Sequence, residues 1–105
     1  ALETAVLLEL LRRGADVGYL RTSGGFEVDF LARFPDGRRE LIQVCADLSE
    51  PATRHRELRA LVEALQEAPG QGAQARLITL NRQSGQGDWP EPVAWSNAVE
   101  WLLEG

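Results

Sequence analysis

Apolar residues in the first turns of the chain fall at Leu2, Ala5, Val6 and Leu10, with Leu7, Leu8 and Leu11 filling the gaps between them. The spacing is helical, and a helix apolar nearly all round is expected to be largely buried. Arg12 and Arg13 suit its C-terminal turn and Gly14 its stop. The period then changes. VGYLRT (17–22) reads as a short strand and Ser23-Gly24-Gly25 as a turn. FEVDFLAR (26–33) alternates Phe26, Val28 and Phe30 against Glu27, Asp29 and Leu31. Pro35-Asp36-Gly37 makes the next turn. RELIQVCA (39–46) follows as a nearly continuous apolar strand, the pattern of a central one. Residues 17–46 are thus predicted to form a three-stranded antiparallel meander.

Ser49 is placed to cap a helix beginning near Pro51, with Leu58, Leu61, Val62 and Leu65 as its apolar stripe and an end before Pro69-Gly70-Gln71-Gly72. ARLITL (75–80) reads as a buried strand. A helix separates it from the third strand, which favours a parallel crossover. NRQSGQGDWPEP (81–92) is a polar loop and Val93-Ala94-Trp95 a short edge strand. Ser96 then caps a last helix carrying Ala98, Val99, Trp101, Leu102 and Leu103. The expectation is one domain over residues 1–105, of α/β class with a mixed sheet of four to five strands flanked by helices.

A chain of 105 residues is long enough for a sizeable core. It has no apolar run of membrane-spanning length and no secretory leader pattern, so no membrane partner is expected. The abrupt start on a helix suggests a piece of a longer chain. The single cysteine, Cys45, excludes an intrachain disulfide and fits a reducing cytoplasm. A net charge of −5 argues against a surface that coats nucleic acid generally, while leaving room for a local basic patch. There are eleven Arg and no Lys. Arginine holds phosphates and carboxylates bidentately, although a GC-rich genome would produce the same bias. Either way, no lysine exists to serve a catalytic role.

The predicted alternation gathers Leu41, Gln43, Cys45 and Asp47 on one face of the third strand, and pairing through the PDGR turn brings Asp29 near Gln43 and Cys45. A carboxylate among apolar strand residues is costly unless paired or metal-bound. Oxygen donors at Asp29 and Gln43 would suit a hard cation such as Mg²⁺, with Glu3 or Glu9 of the first helix as a third donor. The plainer alternative is that Asp29 and Gln43 hydrogen-bond backbone groups or arginines, and that Glu27 faces water. Cys45 reads as a small buried residue, since the only histidine, His55, sits on a helix. TRHRELR (53–59) puts Arg54, Arg56 and Arg59 near a helix start, where phosphate binding competes with a solvated face holding pairs such as Arg59–Glu63. Trp95 and Trp101 are expected in the core, and Trp89 exposed in its loop.

The segments Leu2-Glu3, Leu8-Glu9-Leu10, Tyr19-Leu20-Arg21-Thr22, Glu27-Val28-Asp29-Phe30, Leu41-Ile42-Gln43-Val44-Cys45, Asp47-Leu48, Thr53-Arg54 and Glu57-Leu58 together resemble the PD-(D/E)xK nuclease-like superfamily. More narrowly, the chain is similar to the nuclease-like C-terminal domain (the DUF4143 group) of prokaryotic AAA+-type ATPases, over nearly its whole length. The resemblance implies a restriction-endonuclease-like αβββαβ core. It matches Glu3 to the first-helix acid, with Glu9 as second choice, and Asp29 to the metal-binding aspartate. Gln43 stands where the acid of E-x-K would be, as in some relatives, and Cys45 where its lysine would be. A thiol cannot replace that lysine, because it brings no positive charge to orient and stabilise the attacking water. Asp47, Arg21 and Arg54 are candidate replacements for the missing groups.

The implied reading is a nuclease-like accessory domain with a degenerate site, binding DNA or docking a partner such as its own ATPase module upstream of residue 1. Arg54, Arg56 and Arg21 are its phosphate-binding candidates, and Mg²⁺ is held weakly or not at all. The alternatives are a Mg²⁺-dependent DNA endonuclease using Glu3, Asp29 and Gln43, and a structural or homo-oligomeric module.

Overall fold

A computed structural model describes residues 1–80 and 92–105; the expected polar loop over 81–91, with Trp89, lies outside the described residues. The order is helix α1 (Leu2–Arg12), strands β1 (Asp16–Arg21), β2 (Glu27–Arg33) and β3 (Arg39–Val44), helix α2 (Pro51–Leu65), strands β4 (Gln74–Thr79) and β5 (Val93–Asn97), and helix α3 (Ala98–Glu104). The five strands form one mixed sheet in sequential order. β1, β2 and β3 pair antiparallel, whereas β3–β4 and β4–β5 are parallel. The expected αβββαβ order, the meander and the parallel crossover through α2 are all present.

The sheet separates two apolar layers. On one face, α1 and α3 cover Ala32, Phe34, Ile42, Val44 and Ile78 through Val6, Leu10 and Trp101. On the other, α2 covers Val28, Leu31, Leu41, Leu77 and Val93 through Ala60, Leu61 and Ala64. Full burial of residues as large as Trp101, Leu10, Ile42 and Leu61 stabilises by roughly 1.5–3 kcal/mol per side chain. Two glycines release the chain between elements. Gly14 after α1 and Gly37 in the β2–β3 turn have φ of 86° and 92°, the left-handed region in which a Cβ is unfavourable.

Four local expectations need correction. First, α1 is not buried all round: Val6 and Leu10 are buried, while Leu8 and Leu11 are 61% and 51% exposed. One sheet can cover only one stripe of a helix. Second, Ser49 does not cap α2. Glu50 occupies the N-cap without a side-chain bond, Pro51 opens the helix, and Ser49 instead binds the Asp47 carboxylate. Third, β5 runs on through Ser96, and Asn97 caps α3, its side-chain oxygen accepting from the N–H groups of Val99 and Glu100. Ser96 accepts from Arg76 Nη1 at 2.6 Å.

Fourth, β2 does not alternate strictly. Gly18 pairs with Leu31 but Leu20 pairs with Val28, so β2 carries one residue more than β1 between these pairs. This is a β-bulge. It lets Val28 and Leu31 both pack under α2 while Phe30 and Ala32 pack on the α1–α3 side. Asp29 sits in the bulged segment, which is why its surroundings are unlike those of an ordinary strand residue.

Candidate functional site

β2 and β3 pair from Arg33↔Arg39 to Phe30↔Ile42, and the ladder stops there. Beyond it, side chains do the work of the missing backbone bonds. Asp29 Oδ2 accepts the N–H of Val44 at 2.9 Å. The N–H of Asp29 donates to Gln43 Oε1 at 2.8 Å, and Gln43 Nε2 donates to the Glu27 carbonyl at 3.0 Å. Buried backbone groups must be satisfied somewhere, and here one carboxylate and one amide satisfy three of them. The strands are thereby held apart at this end, with Gln43 only 3% exposed between them.

The gap opens into a cavity of about 330 Å³ whose walls include Glu27, Asp29 and Gln43 from the sheet and Arg56 and Glu57 from α2. Of the expected neighbours of Asp29, Gln43 is present, whereas Cys45 lies beyond the end of β3 and does not line the cavity. Glu57 was not anticipated, yet a signal existed. It lies three, four and seven residues before Ala60, Leu61 and Ala64, so it shares the buried face of α2.

Two carboxyls in this cavity are shifted in the same direction. Burial pushes the Asp29 carboxyl above its ordinary range; the Val44 N–H opposes this, and the charges of Glu3 and Glu27 add to it. Burial likewise raises Glu57, the Gln43 amide opposing and the Asp29 charge reinforcing. Desolvation and like charge together disfavour ionisation of both groups. Arg56, 4.0 Å from Glu57, is the cation at the rim, and its side chain is mostly exposed.

The other predicted residues divide clearly. Glu3 acts on Asp29 through its charge, whereas Glu9 is held elsewhere, accepting from Arg12 and Arg13, which pull its carboxyl down to about 2. Neither first-helix acid lines the cavity. Cys45 directs its Sγ to the Asp47 carbonyl at 3.2 Å, and burial pushes its thiol pKa up. At neutral pH it is an uncharged thiol, without the charge of a lysine or the nucleophilicity of a thiolate. Asp47 uses its carboxylate on Ser49.

Neither Arg21 nor Arg54 lines the cavity. Arg21 stands opposite Glu27 on the β1–β2 ladder, and the Arg54 guanidinium lies 6.0 Å from the centre of the Trp95 ring. Trp101 is buried as expected, and Trp95 is partly buried against the α2 layer. Arg59 pairs with Glu63 at 3.1 Å.

Glu3, Asp29 and Gln43 do not fit a metal as a set. Gln43 spends its oxygen on the Asp29 N–H and Asp29 spends one oxygen on Val44. Among the described residues, no three His, Cys, Asp or Glu side chains are grouped to hold an ion. Comparison of the chain with protein-family models, curated proteins and solved structures returned no match. No helix among the described residues is long and apolar enough to cross a membrane.

Proposed function

We propose that this chain is a nuclease-like accessory domain of an AAA+-type ATPase, whose degenerate PD-(D/E)xK-type cleft contacts the DNA backbone without cutting it. One observation carries the reading: β2 parts from β3 at Asp29, and the carboxylate, the Gln43 amide and the helix acid Glu57 gather in that opening. The resemblance led to an acid and a Gln at this position, and an opened strand pair is what gives a ligand access to them. Contact without cleavage follows from the chemistry of the same residues. Gln43 is committed to backbone groups, Cys45 is a neutral thiol, and the acids of the cavity repel phosphate by themselves. Phosphate contact then falls to the exposed side of α2, where Arg56 stands at the rim and His55 and Arg59 are also exposed.

The test is fluorescence anisotropy on a labelled duplex across a salt series. So few arginines predict a shallow slope of log K on log salt, about −2 to −3. Arg56→Gln should weaken binding and flatten that slope. Binding that is absent at low salt, or insensitive to salt, overturns the DNA-contact reading and leaves docking to the ATPase module.

The endonuclease alternative requires Gln43 and Asp29 to release backbone groups and turn towards Mg²⁺. Plasmid incubated with Mg²⁺ or Mn²⁺ decides it, and nicking that disappears in Asp29→Ala would establish it. A self-association reading is favoured by one feature, the exposed apolar row of Leu8 and Leu11 on α1 together with Leu103 on α3. Sedimentation at several concentrations measures it directly.

A further inference from the structure

A second cavity, larger than the cleft at about 510 Å³, lies at the other end of the β2–β3 hairpin, beside the turn. Its walls include Arg12 and Arg13 from the end of α1, Phe34, Asp36 and Arg38 from the hairpin turn, and Glu40 from β3. Each of the three guanidiniums is fixed in place by other contacts. Arg12 and Arg13 share the Glu9 carboxylate, and they donate to the carbonyls of Gly105 and Trp101. Arg13 stacks over the Trp101 ring at 4.3 Å and Arg38 over Phe34 at 4.5 Å. Arg38 donates Nε to Asp36, and Arg76 takes up Glu40 at 2.8 Å.

These arginines keep donors in reserve. Nη1 of Arg12, Nη1 of Arg13 and Nη2 of Arg38 make no hydrogen bond among the described residues, while Nη1 of Arg38 lies 3.7 Å from the Glu40 carboxylate. Three guanidiniums (Arg12, Arg13 and Arg38) line the cavity beside two carboxylates (Asp36 and Glu40), and Arg76 pairs with Glu40 from outside it. Guanidinium edges with unused N–H groups are matched by an oxyanion that has several acceptors. Their orientation by aromatic faces and carboxylates lowers the ordering cost of binding.

We infer that this cavity binds a phosphate group, either as the free anion or as the phosphomonoester of a small molecule. The site is separate from the cleft proposed to meet DNA, and it needs no metal. Inorganic phosphate and adenosine monophosphate, each titrated calorimetrically into the whole chain at constant ionic strength against chloride, are the probes. Saturable binding of inorganic phosphate is expected. Arg12→Gln and Arg38→Gln should each weaken it about tenfold or more, the loss of one charge-assisted contact. Arg33→Gln, which removes an exposed charge elsewhere on β2, should leave it unchanged.

Equal affinity for both probes identifies the free anion as the ligand, and tighter binding of the nucleotide identifies a phosphomonoester. Circular dichroism verifies that each variant is folded. If Arg38→Gln fails to fold, Arg12→Gln decides alone. The proposal fails if phosphate gives no saturable heat beyond that of chloride at the same ionic strength, or if Arg33→Gln lowers affinity as much as the cavity variants do.

Discussion

Replacing Gln43 by glutamate changes one NH₂ for one oxygen, and the cleft should respond strongly. In the wild type the amide accepts from the Asp29 N–H and donates to the Glu27 carbonyl. A carboxylate keeps the first bond and loses the second, leaving a buried carbonyl without its donor, at about 1–3 kcal/mol. It also sets a third negative charge between Asp29 and Glu57, two groups already pushed towards their neutral forms. A buried charge without a partner costs several kcal/mol, reduced here because the cavity admits water. The sum is a destabilisation of about 3 kcal/mol at pH 8, or a fall in Tm of roughly 15 °C for a domain of this size. The sign with pH is fixed by linkage. The new carboxyl has a folded-state pKa above its unfolded one, so its penalty is absent at low pH and grows as pH rises through the folded value. Protonated at about pH 4, it can again donate to Glu27. Urea unfolding of both proteins followed by tryptophan fluorescence, at pH 4 and pH 8, should show a gap that is small in acid and large in base. An equal gap at both pH values, or none at pH 8, would refute the account of Gln43 as the donor that closes the parted strands.

Asp29→Asn keeps an oxygen for the Val44 N–H and removes the charge beside Glu57. Because the folded pKa of Asp29 is raised, the wild type loses stability as pH rises through that value. The variant should therefore match the wild type in acid and exceed it at pH 8 by urea midpoint; a variant less stable at pH 8 contradicts the assignment. Glu40 is 6% exposed and pairs with Arg76 at 2.8 Å. Glu40→Ala should cost about 3–5 kcal/mol in denaturant unfolding, and the Glu40→Leu/Arg76→Leu double variant should cost less than either single truncation. Cys45 should alkylate with iodoacetamide more slowly at pH 7.5 than a free cysteine, as its raised thiol pKa requires. A rate at or above that of the free thiol would overturn the neutral-thiol assignment.

How much of this the sequence revealed depended on whether a feature was local. The hairpin turn and the parallel crossover follow from periodicity and turn chemistry over a few residues, and they are where the residues put them; of the expected α2 stripe only Leu61 is fully buried, while Leu58, Val62 and Leu65 flank the buried Ala60 and Ala64. Alternation also carried Gln43 and Asp29 to one place. The bulge in β2 was not visible, because it arises from pairing with β1 and leaves no composition of its own. The Asn97 cap was hidden by Ser96, an equally favoured capping residue one position earlier that lies in β5 and accepts from Arg76. Glu40 was concealed by the apolar residues around it. A charged group is buried this deeply only with a partner, and Arg76 lies 36 residues away in sequence. Glu57 was legible in principle, as a charged residue in phase with Ala60, Leu61 and Ala64.

The parted strands and the arginine cavity divide the protein's charge in a way its net value hides. Glu27, Asp29 and Glu57 meet at the open end of the β2–β3 hairpin, with Arg56 at the rim. Arg12, Arg13 and Arg38 meet at its turn. A phosphate approaching the cleft floor would meet acidic side chains and a single arginine, whereas at the turn it would find guanidiniums in contact with Glu9, Trp101 and Phe34. Mere attraction to arginine therefore cannot explain a DNA contact at the cleft. The DNA contact proposed above would have to run along the outer face of α2, leaving Asp29 and Gln43 to hold the strands apart.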